Sequence, residues 1–167
     1  MKIELKNIKF SEAMSEETNA FTANLYINGK NVGYCKNTGQ GGCTDYHANT
    51  PEDRKVIAEA EAYCKGLPKV KYSDLEWNQS LEWVIDQFLE DWLKAKERKK
   101  MERKMQTCIL IGRPDENRLN YAYYNFKRPL SSISVPQLQA SIERIKAKMP
   151  KNEVILNTNL AVLGIKL

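Results

Sequence analysis

Apolar and polar residues alternate along the first forty positions, which is the period of strands that bury one face. Ile3 and Leu5 alternate with charged residues, and the same pattern returns from Phe21 to Ile27 after a polar link. Asn28 and Gly29 then supply the positive φ angles that a two-residue hairpin needs. The pattern therefore predicts a three-stranded antiparallel meander whose third strand ends near residue 36.

Helical spacing replaces the alternation in three places. A first helix should begin after the N-cap Thr50 and end at Gly66, and a third should begin after Ser134. The second helix is predicted from Leu75 to Gln106 and would be about 45 Å long, more than a domain of this size can cover. We therefore expect its end to project, bend or pack on another chain. Its first half carries a stripe of large apolar residues: Trp77, Leu81, Val84, Ile85, Phe88, Leu89 and Trp92.

The remaining apolar runs indicate further strands. "TCILIG" and "RLNYAYYNFKRP" flank the turn "RPDEN", and the final segment "EVILNTNLAVLGIKL" is typical of one or two strands. Strands cluster at the start of the chain, and helices and strands mix after them. The expectation is an α+β fold with an N-terminal antiparallel β-meander, one long and two shorter helices, and a mainly antiparallel sheet. A chain of 167 residues fits one domain, 1–167.

Charge is concentrated in the second half of the long helix. The net charge is +5, and the segment from Lys94 to Lys104, with seven basic and two acidic residues, equals the whole excess. This favours one local basic element over a broad basic face. A solvated helix end is the simpler interpretation; attraction to nucleic acid or to an acidic protein surface is the functional one. The candidate partner-binding residues are Lys96, Lys99, Lys100, Arg103 and Lys104.

No apolar run approaches the roughly 20 residues of a membrane span, and the first residues form no signal-peptide block. These patterns predict a cytoplasmic protein. Its four cysteines contain no CxxC pair, so we expect reduced thiols, with Cys35, Cys64 and Cys108 at core positions.

The stretch "NTGQGGCTDYH", residues 37–47, is not explained by folding alone. Its glycines could direct backbone N–H groups into an anion-binding nest, although neither a Walker loop nor a dinucleotide fingerprint is present. The simpler interpretation is a wide turn leading from a strand toward a helix. The candidate ligand-binding residues of this stretch and its flank are Lys36, Asn37, Gly39, Gln40, Gly41, Gly42, Thr44, Tyr46 and His47.

Cys43 and His47 in the same stretch suggest two other chemistries. Zinc prefers four thiolate or imidazole ligands in short pairs, and only one short pair exists here. A cysteine nucleophile would need a base held in hydrogen-bond geometry, and the chain has one histidine with Asp45 nearby. We therefore predict no metal, no cofactor and no catalytic residue.

The strand "YAYYNFKRP" is a second candidate ligand surface. Tyr121 and Tyr123 should share one strand face, and the adjacent Lys127 and Arg128 could pair with a phosphate while a ring stacks a base. Ordinary sheet packing would explain the same residues. If this strand lies alongside the glycine-rich stretch, Tyr123, Lys127 and Arg128 would join its site.

The pattern "F.A.LYINGK.VGY..N.GQGGCTDYH", between Phe21 and His47, resembles small proteins of phages and prophage-like elements. The resemblance covers about the first third of the chain. It implies a counter-defence protein, because such proteins often capture a nucleotide immune signal or coat a host effector, including CRISPR nucleases.

Residue pattern and resemblance together favour a non-enzymatic binding protein that sequesters an anionic nucleotide-like ligand. The alternative is an inhibitor that blocks a host defence protein or nuclease through its long basic helix. A Cys-His hydrolase ranks third. A homo-oligomer is also expected, because one small sheet cannot cover Trp77, Phe88 and Trp92 along one helix side.

Overall fold

The computed structural model describes residues 1–73, 75–113 and 121–166, and its contacts divide the chain into two compact units, 1–94 and 95–167. Three α-helices and mainly antiparallel sheets confirm the α+β class. The boundary between the units falls within the long helix. Whether the chain folds as a single domain stays a prediction.

The first unit contains a four-stranded antiparallel sheet. Its strands are β1 (Ile3–Phe10), β2 (Phe21–Ile27), β3 (Lys30–Asn37) and β4 (Asp45–Ala48), hydrogen-bonded in that order. The predicted meander and its Asn28-Gly29 hairpin are confirmed. The sheet has a fourth strand, however, because the glycine-rich stretch leads into β4 and not directly toward a helix. The prediction of a turn into a helix is therefore wrong.

Gly33 explains how β4 can approach β3. A Cβ atom at Gly33 would lie 2.1 Å from the carbonyl oxygen of His47, which is far inside any van der Waals contact. Since Gly33 pairs with Ala48 and Tyr34 with His47, the missing side chain lets the two strands pair closely.

The inner sheet face forms the core of the first unit with two helical segments. Helix α1 (Pro51–Lys65) begins as predicted, because Thr50 Oγ1 accepts a 3.1 Å hydrogen bond from the Asp53 N–H. Cys35 and Cys64 are buried, as predicted, and desolvation with a contribution from Asp86 raises the pKa of Cys35 to about 12. Other members of this core are Leu25, Val32, Ile57, Leu81, Ile85 and Leu89.

The long helix is shorter than predicted. Helix α2 runs from Leu81 to Met105, because residues before it form an antiparallel hairpin of β5 (Val70–Tyr72) and β6 (Leu75–Trp77). Ser80 starts the helix, with its Oγ accepting a 3.0 Å hydrogen bond from the Trp83 N–H. Trp77 therefore belongs to the hairpin and not to the helical stripe.

The second unit contains the end of α2, a three-stranded antiparallel sheet and one more helix. The strands β7 (Cys108–Gly112), β8 (Tyr121–Asn125) and β9 (Val154–Ile155) lie in the order β8-β7-β9, and α3 runs from Val135 to Lys148. Most of the predicted turn "RPDEN" lies outside the described residues. The buried core of this unit includes Ile109, Ile111, Leu130, Leu138, Ile142 and Ile145.

The end of α2 does not extend into solvent unsupported. Met101 and Met105 are buried in a cluster with Cys108 and Leu110, so this part of the helix has its own core within the second unit. The expectation that this end projects is therefore wrong for the side that carries Met101 and Met105, whereas a bend or packing on another chain stays a prediction. Among the described residues, no helix combines the length and the apolar character needed to cross a membrane.

The C-terminal segment forms only the two-residue strand β9, followed by a short 3-10 turn at Ala161–Leu163. The buried side chain of Asn157 also joins this segment to β7. The Oδ1 atom accepts from the Leu110 N–H at 2.7 Å, and Nδ2 donates to the Cys108 carbonyl at 2.9 Å. The prediction of one strand in this segment is thus confirmed by β9, and the Asn157 side chain continues the attachment to β7 beyond the end of that strand.

Candidate functional site

Asn37 organises the glycine-rich loop, which we define as residues 38–44 between β3 and β4. Its Oδ1 atom accepts from the Gly39 N–H and from Thr18 Oγ1, both at 2.9 Å. Its Nδ2 atom donates to the Gly42 carbonyl at 2.9 Å and to Thr44 Oγ1 at 3.2 Å. A predicted ligand residue therefore uses its amide to hold the loop closed.

Gly39 has a structural reason to be glycine. Its φ angle is +89°, and a Cβ atom there would lie 2.0 Å from the Met14 carbonyl oxygen. The Gly39 carbonyl accepts from the N–H groups of three consecutive residues, at 3.0, 2.9 and 3.2 Å: Glu16, Glu17 and Thr18. The loop is therefore packed on the segment before β2, while Gln40, Gly41 and Gly42 remain exposed at its tip.

Carboxylates of α2 hold the other end of the loop. Thr44 is buried, its Oγ1 donates to Asp86 Oδ1 at 2.7 Å, and its N–H donates to Glu82 Oε1 at 3.0 Å. Tyr46 is tied down similarly, with its hydroxyl donating to Glu61 at 2.7 Å. Thr44 and Tyr46 are thus already bound to carboxylates, which are not the partners expected of an anion site.

A cavity of about 240 Å³ adjoins this loop. Asp86 and Glu90 contribute its charged lining, and Glu82 lies one helical turn before Asp86. Burial raises the pKa of Asp86, and the neighbouring charges of Glu82 and Glu90 raise it further. The complete lining is Thr18, Asn19, Phe21, Asn37, Gly42, Thr44, Asp86, Leu89 and Glu90.

This geometry disfavours an anion at the glycine-rich loop. The N–H groups of Gly39, Gly41 and Thr44 donate to Asn37, Thr18 and Glu82, so they do not converge on an open space. Carboxylates facing the cavity would also repel a phosphate. Sequence reasoning missed these carboxylates, although the i, i+4, i+8 spacing of Glu82, Asp86 and Glu90 places them on one helix face.

Cys43 and His47 are not arranged as a nucleophile and base. Cys43 is exposed, and its hydrogen bond to Glu82, together with nearby acidic charge, raises the pKa of the thiol. An activated cysteine needs the opposite shift. The His47 ring stacks on Tyr34, with centroids 5.0 Å apart. Within the described ranges, no three His, Cys, Asp or Glu side chains lie close enough together to hold a metal ion.

The strands divide the remaining predicted ligand residues between two surfaces. Asn37 and Tyr46 point toward the inner side of the sheet, whereas Lys36 and His47 point to the outer face. Strand alternation would have separated them if β4 had been recognised from its four residues.

The second unit contains Tyr123, Lys127 and Arg128. Strand β8 pairs with β7 and is not part of the sheet of the glycine-rich loop, so strand pairing does not bring these residues to that loop. Tyr121 and Tyr123 do share a strand face, as predicted. Lys104 Nζ lies over both rings, 5.0 and 4.3 Å from their centroids. Lys104 is therefore engaged within its own unit and is not an open contact for a partner.

The other predicted partner-binding residues form what we call the basic face: Lys96, Lys99, Lys100 and Arg103. Their i, i+3, i+4, i+7 spacing puts all four on one side of α2, opposite the buried Met101 and Met105. All four are exposed, and Lys100 forms a 3.3 Å ion pair with Glu97.

The two units have opposite net charges, which the charge of the basic helix segment alone does not indicate. Residues 95–167 contain 15 Lys and Arg against 6 Asp and Glu, a net charge of +9. Residues 1–94 contain 11 against 15, a net charge of −4. Outside Lys94–Lys104 the chain is neutral only because residues 1–93, with 10 basic and 15 acidic residues, carry −5 and residues 105–167, with 9 basic and 4 acidic residues, carry +5. The basic face thus belongs to a basic unit and is not an isolated element.

No protein-family model matches this chain, and neither a curated protein nor a solved structure is similar to it.

Proposed function

We propose that the protein is a non-enzymatic binding protein whose basic face contacts an acidic surface of another protein. The observation that carries the proposal is the basic face itself. Four exposed cations, Lys96, Lys99, Lys100 and Arg103, lie on one side of a helix whose other side is anchored by Met101 and Met105. Opposite charge on a partner would steer association and fix its register.

Two carboxylates favour a protein partner over nucleic acid. At 100° per residue, Glu97 and Glu102 flank the basic face on either side. A phosphate backbone is uniformly negative and would be repelled by both. A protein surface of mixed charge can place a cation opposite each of them, so the flanking carboxylates would add specificity.

The resemblance of residues 21–47 to phage and prophage proteins supports a class of partner. It makes a host defence protein, such as a nuclease, the partner that we propose for the basic face, with inhibition by blocking as the consequence. Capture of an anionic nucleotide at the glycine-rich loop has less support, because that loop uses its N–H groups internally and faces Asp86 and Glu90.

Site-specific photo-crosslinking in a nuclease-treated bacterial lysate tests the proposal. A photoreactive residue at Glu102 borders the basic face, and the same residue at Glu143, an exposed carboxyl on α3, is the matched control. We expect a protein adduct from position 102 and a much weaker one from position 143. Equal adducts at both positions, or an adduct made only with nucleic acid when nuclease is omitted, would count against the proposal.

A further inference from the structure

The outer face of the four-stranded sheet carries a second organised set of polar and aromatic side chains. The strand registers align two rows of four residues across β1, β2, β3 and β4. Directly paired residues lie on one face of a sheet, so both rows point away from the core. The first row is Lys6, Asn24, Tyr34 and His47, and the second row is Lys9, Thr22, Lys36 and Asp45.

The two rows form a shallow surface of nucleotide size. Neighbouring strands are about 4.8 Å apart and the rows are two residues apart, so the surface measures roughly 14 by 7 Å. A depression of about 430 Å³ opens on this face, and its lining includes Lys9, Thr22, Asn24 and Tyr34. Tyr34 remains 44% exposed although its ring stacks on His47, so one side of this aromatic pair faces solvent.

The two rows have a positive net charge, although the unit that contains them has a negative one. The first unit has a net charge of −4, yet the two rows contain three lysines and one carboxylate. Lys6 also lies 4.2 Å from the centroid of the Tyr26 ring, which keeps a cation beside an aromatic surface. An anionic ligand that also has a flat ring would complement both properties.

We propose that this outer face binds single-stranded nucleic acid or the nucleotide unit of it. A base would stack on the Tyr34 and His47 rings, Lys9 and Lys36 would contact phosphate oxygens, and the Asn24 amide would hydrogen-bond a base edge. Sheets that bind single strands combine aromatic stacking with backbone-tracking cations in this way. This site lies in the first unit and is separate from the proposed protein contact of the basic face.

The chemistry of the rows favours this ligand over an acidic peptide. An acidic peptide would use Lys6, Lys9 and Lys36 but would leave the exposed aromatic pair and the Asn24 amide without a matching group. A nucleotide uses all three kinds of side chain. A duplex would be a poor ligand, because its bases are already stacked on each other.

Fluorescence anisotropy with a short labelled oligothymidylate tests the proposal on the full-length protein. Tyr34→Ala should weaken binding by about fivefold to a hundredfold, the range for loss of one base-stacking contact. Tyr63→Ala is the matched control, because Tyr63 is a similarly exposed tyrosine on α1. Lys9→Ala should lower the slope of log affinity against log salt by about 0.7, whereas Lys55→Ala on α1 should not.

Competing ligands and the second unit complete the test. An abasic strand of the same length, the corresponding duplex and an acidic peptide should each bind much more weakly than the oligothymidylate. A mononucleotide that displaces the labelled strand would show that one nucleotide unit is sufficient. The proposal is overturned if Tyr34→Ala binds like wild type, if the abasic strand binds equally well, or if only K99E/R103E abolishes binding. None of these results depends on the protein crosslink from position 102, so the two proposals can fail separately.

Discussion

Thr44 Oγ1 donates a 2.7 Å hydrogen bond to Asp86 Oδ1, across 42 positions of sequence. The same hydroxyl accepts from Asn37 Nδ2 at 3.2 Å. A buried threonine thus joins the end of β3, the glycine-rich loop and the second helix through one polar chain. The loop is a structural connection between sheet and helix, and its polar groups serve that connection first.

The glycines of the loop should differ sharply in their tolerance of a side chain. Gly39→Ala should destabilise the protein by roughly 2 kcal/mol or more, because a left-handed residue alone costs about 1–2 kcal/mol and its Cβ would also meet the Met14 carbonyl. Gly42→Ala should change stability by less than about 0.5 kcal/mol, since no atom lies within 4 Å of the added carbon. Urea unfolding of both variants measures the difference, and equal stabilities would contradict this view of the loop.

Asp86 should make stability depend on pH. Burial raises its pKa above the ordinary value of 3.8, so the folded state holds this proton more tightly than the unfolded state does. Stability should therefore fall as pH rises through the raised pKa. Asp86→Asn removes this loss and can still accept from Thr44, so it should gain stability over wild type at neutral pH and not at pH 3.

Chemical unfolding of Asp86→Asn across this pH range, beside Asp91→Asn at an exposed position of the same helix, checks the sign. A variant that is less stable than wild type at neutral pH would show that the ionised carboxylate, and not its burial, dominates at this position.

Asn157 should be the most sensitive polar residue of the second unit. Asn157→Ala would leave the buried Leu110 N–H and the Cys108 carbonyl without their partner, at a cost of about 1–3 kcal/mol for an unsatisfied buried group. Gln137→Ala, an exposed amide on α3, is the control and should be nearly neutral. Thermal unfolding that shows the same small change for both would refute the role of Asn157.

Much of the first unit could be predicted from sequence because its signals are local. Each signal acts over a few residues and is visible in the sequence: the alternation through β2, the Asn28-Gly29 turn and the Thr50 cap. Strands of three or four residues, such as β4 and β6, are too short to show the alternation of apolar and polar residues that identifies a strand. The pattern therefore does not separate Leu75–Trp77 from the helix that follows it.

The candidate sites depended on contacts that no local pattern contains. The three glycines alone resemble an anion nest. In the structure, Glu82 and Asp86 of a helix about forty residues later contact the same loop. The division into an acidic and a basic unit is also not visible in the sequence. The chain outside Lys94–Lys104 has no net charge, and the boundary within α2 has no compositional signal such as a Pro- or Gly-rich linker. The basic face itself was predictable, since its spacing lies within one helix.

Self-association remains a prediction, but the apolar residues available for the interface differ from those expected from the sequence. Trp92 packs against the first core, while Leu75, Trp77 and Phe88 are 69%, 39% and 38% exposed. We expect a dimer or higher oligomer that Phe88→Lys shifts toward monomer, because a buried aromatic is worth about 2 kcal/mol at an interface. Light scattering at high micromolar concentration measures this. A wild-type protein that is monomeric at this concentration would contradict the prediction.

If the basic face, and not positive charge in general, binds the partner protein, charge reversal should weaken binding only on that face. The direct measurement compares K99E/R103E with R144E/K148E. Both are double charge reversals at i, i+4 on an exposed helix face of the same unit, so they change net charge equally. Affinity for the protein crosslinked from position 102 is then measured for wild type and both variants. We expect about a thirtyfold loss for K99E/R103E, from roughly 1 kcal/mol for each contact, and little change for R144E/K148E. Equal losses in the two variants, or none in either, would contradict it.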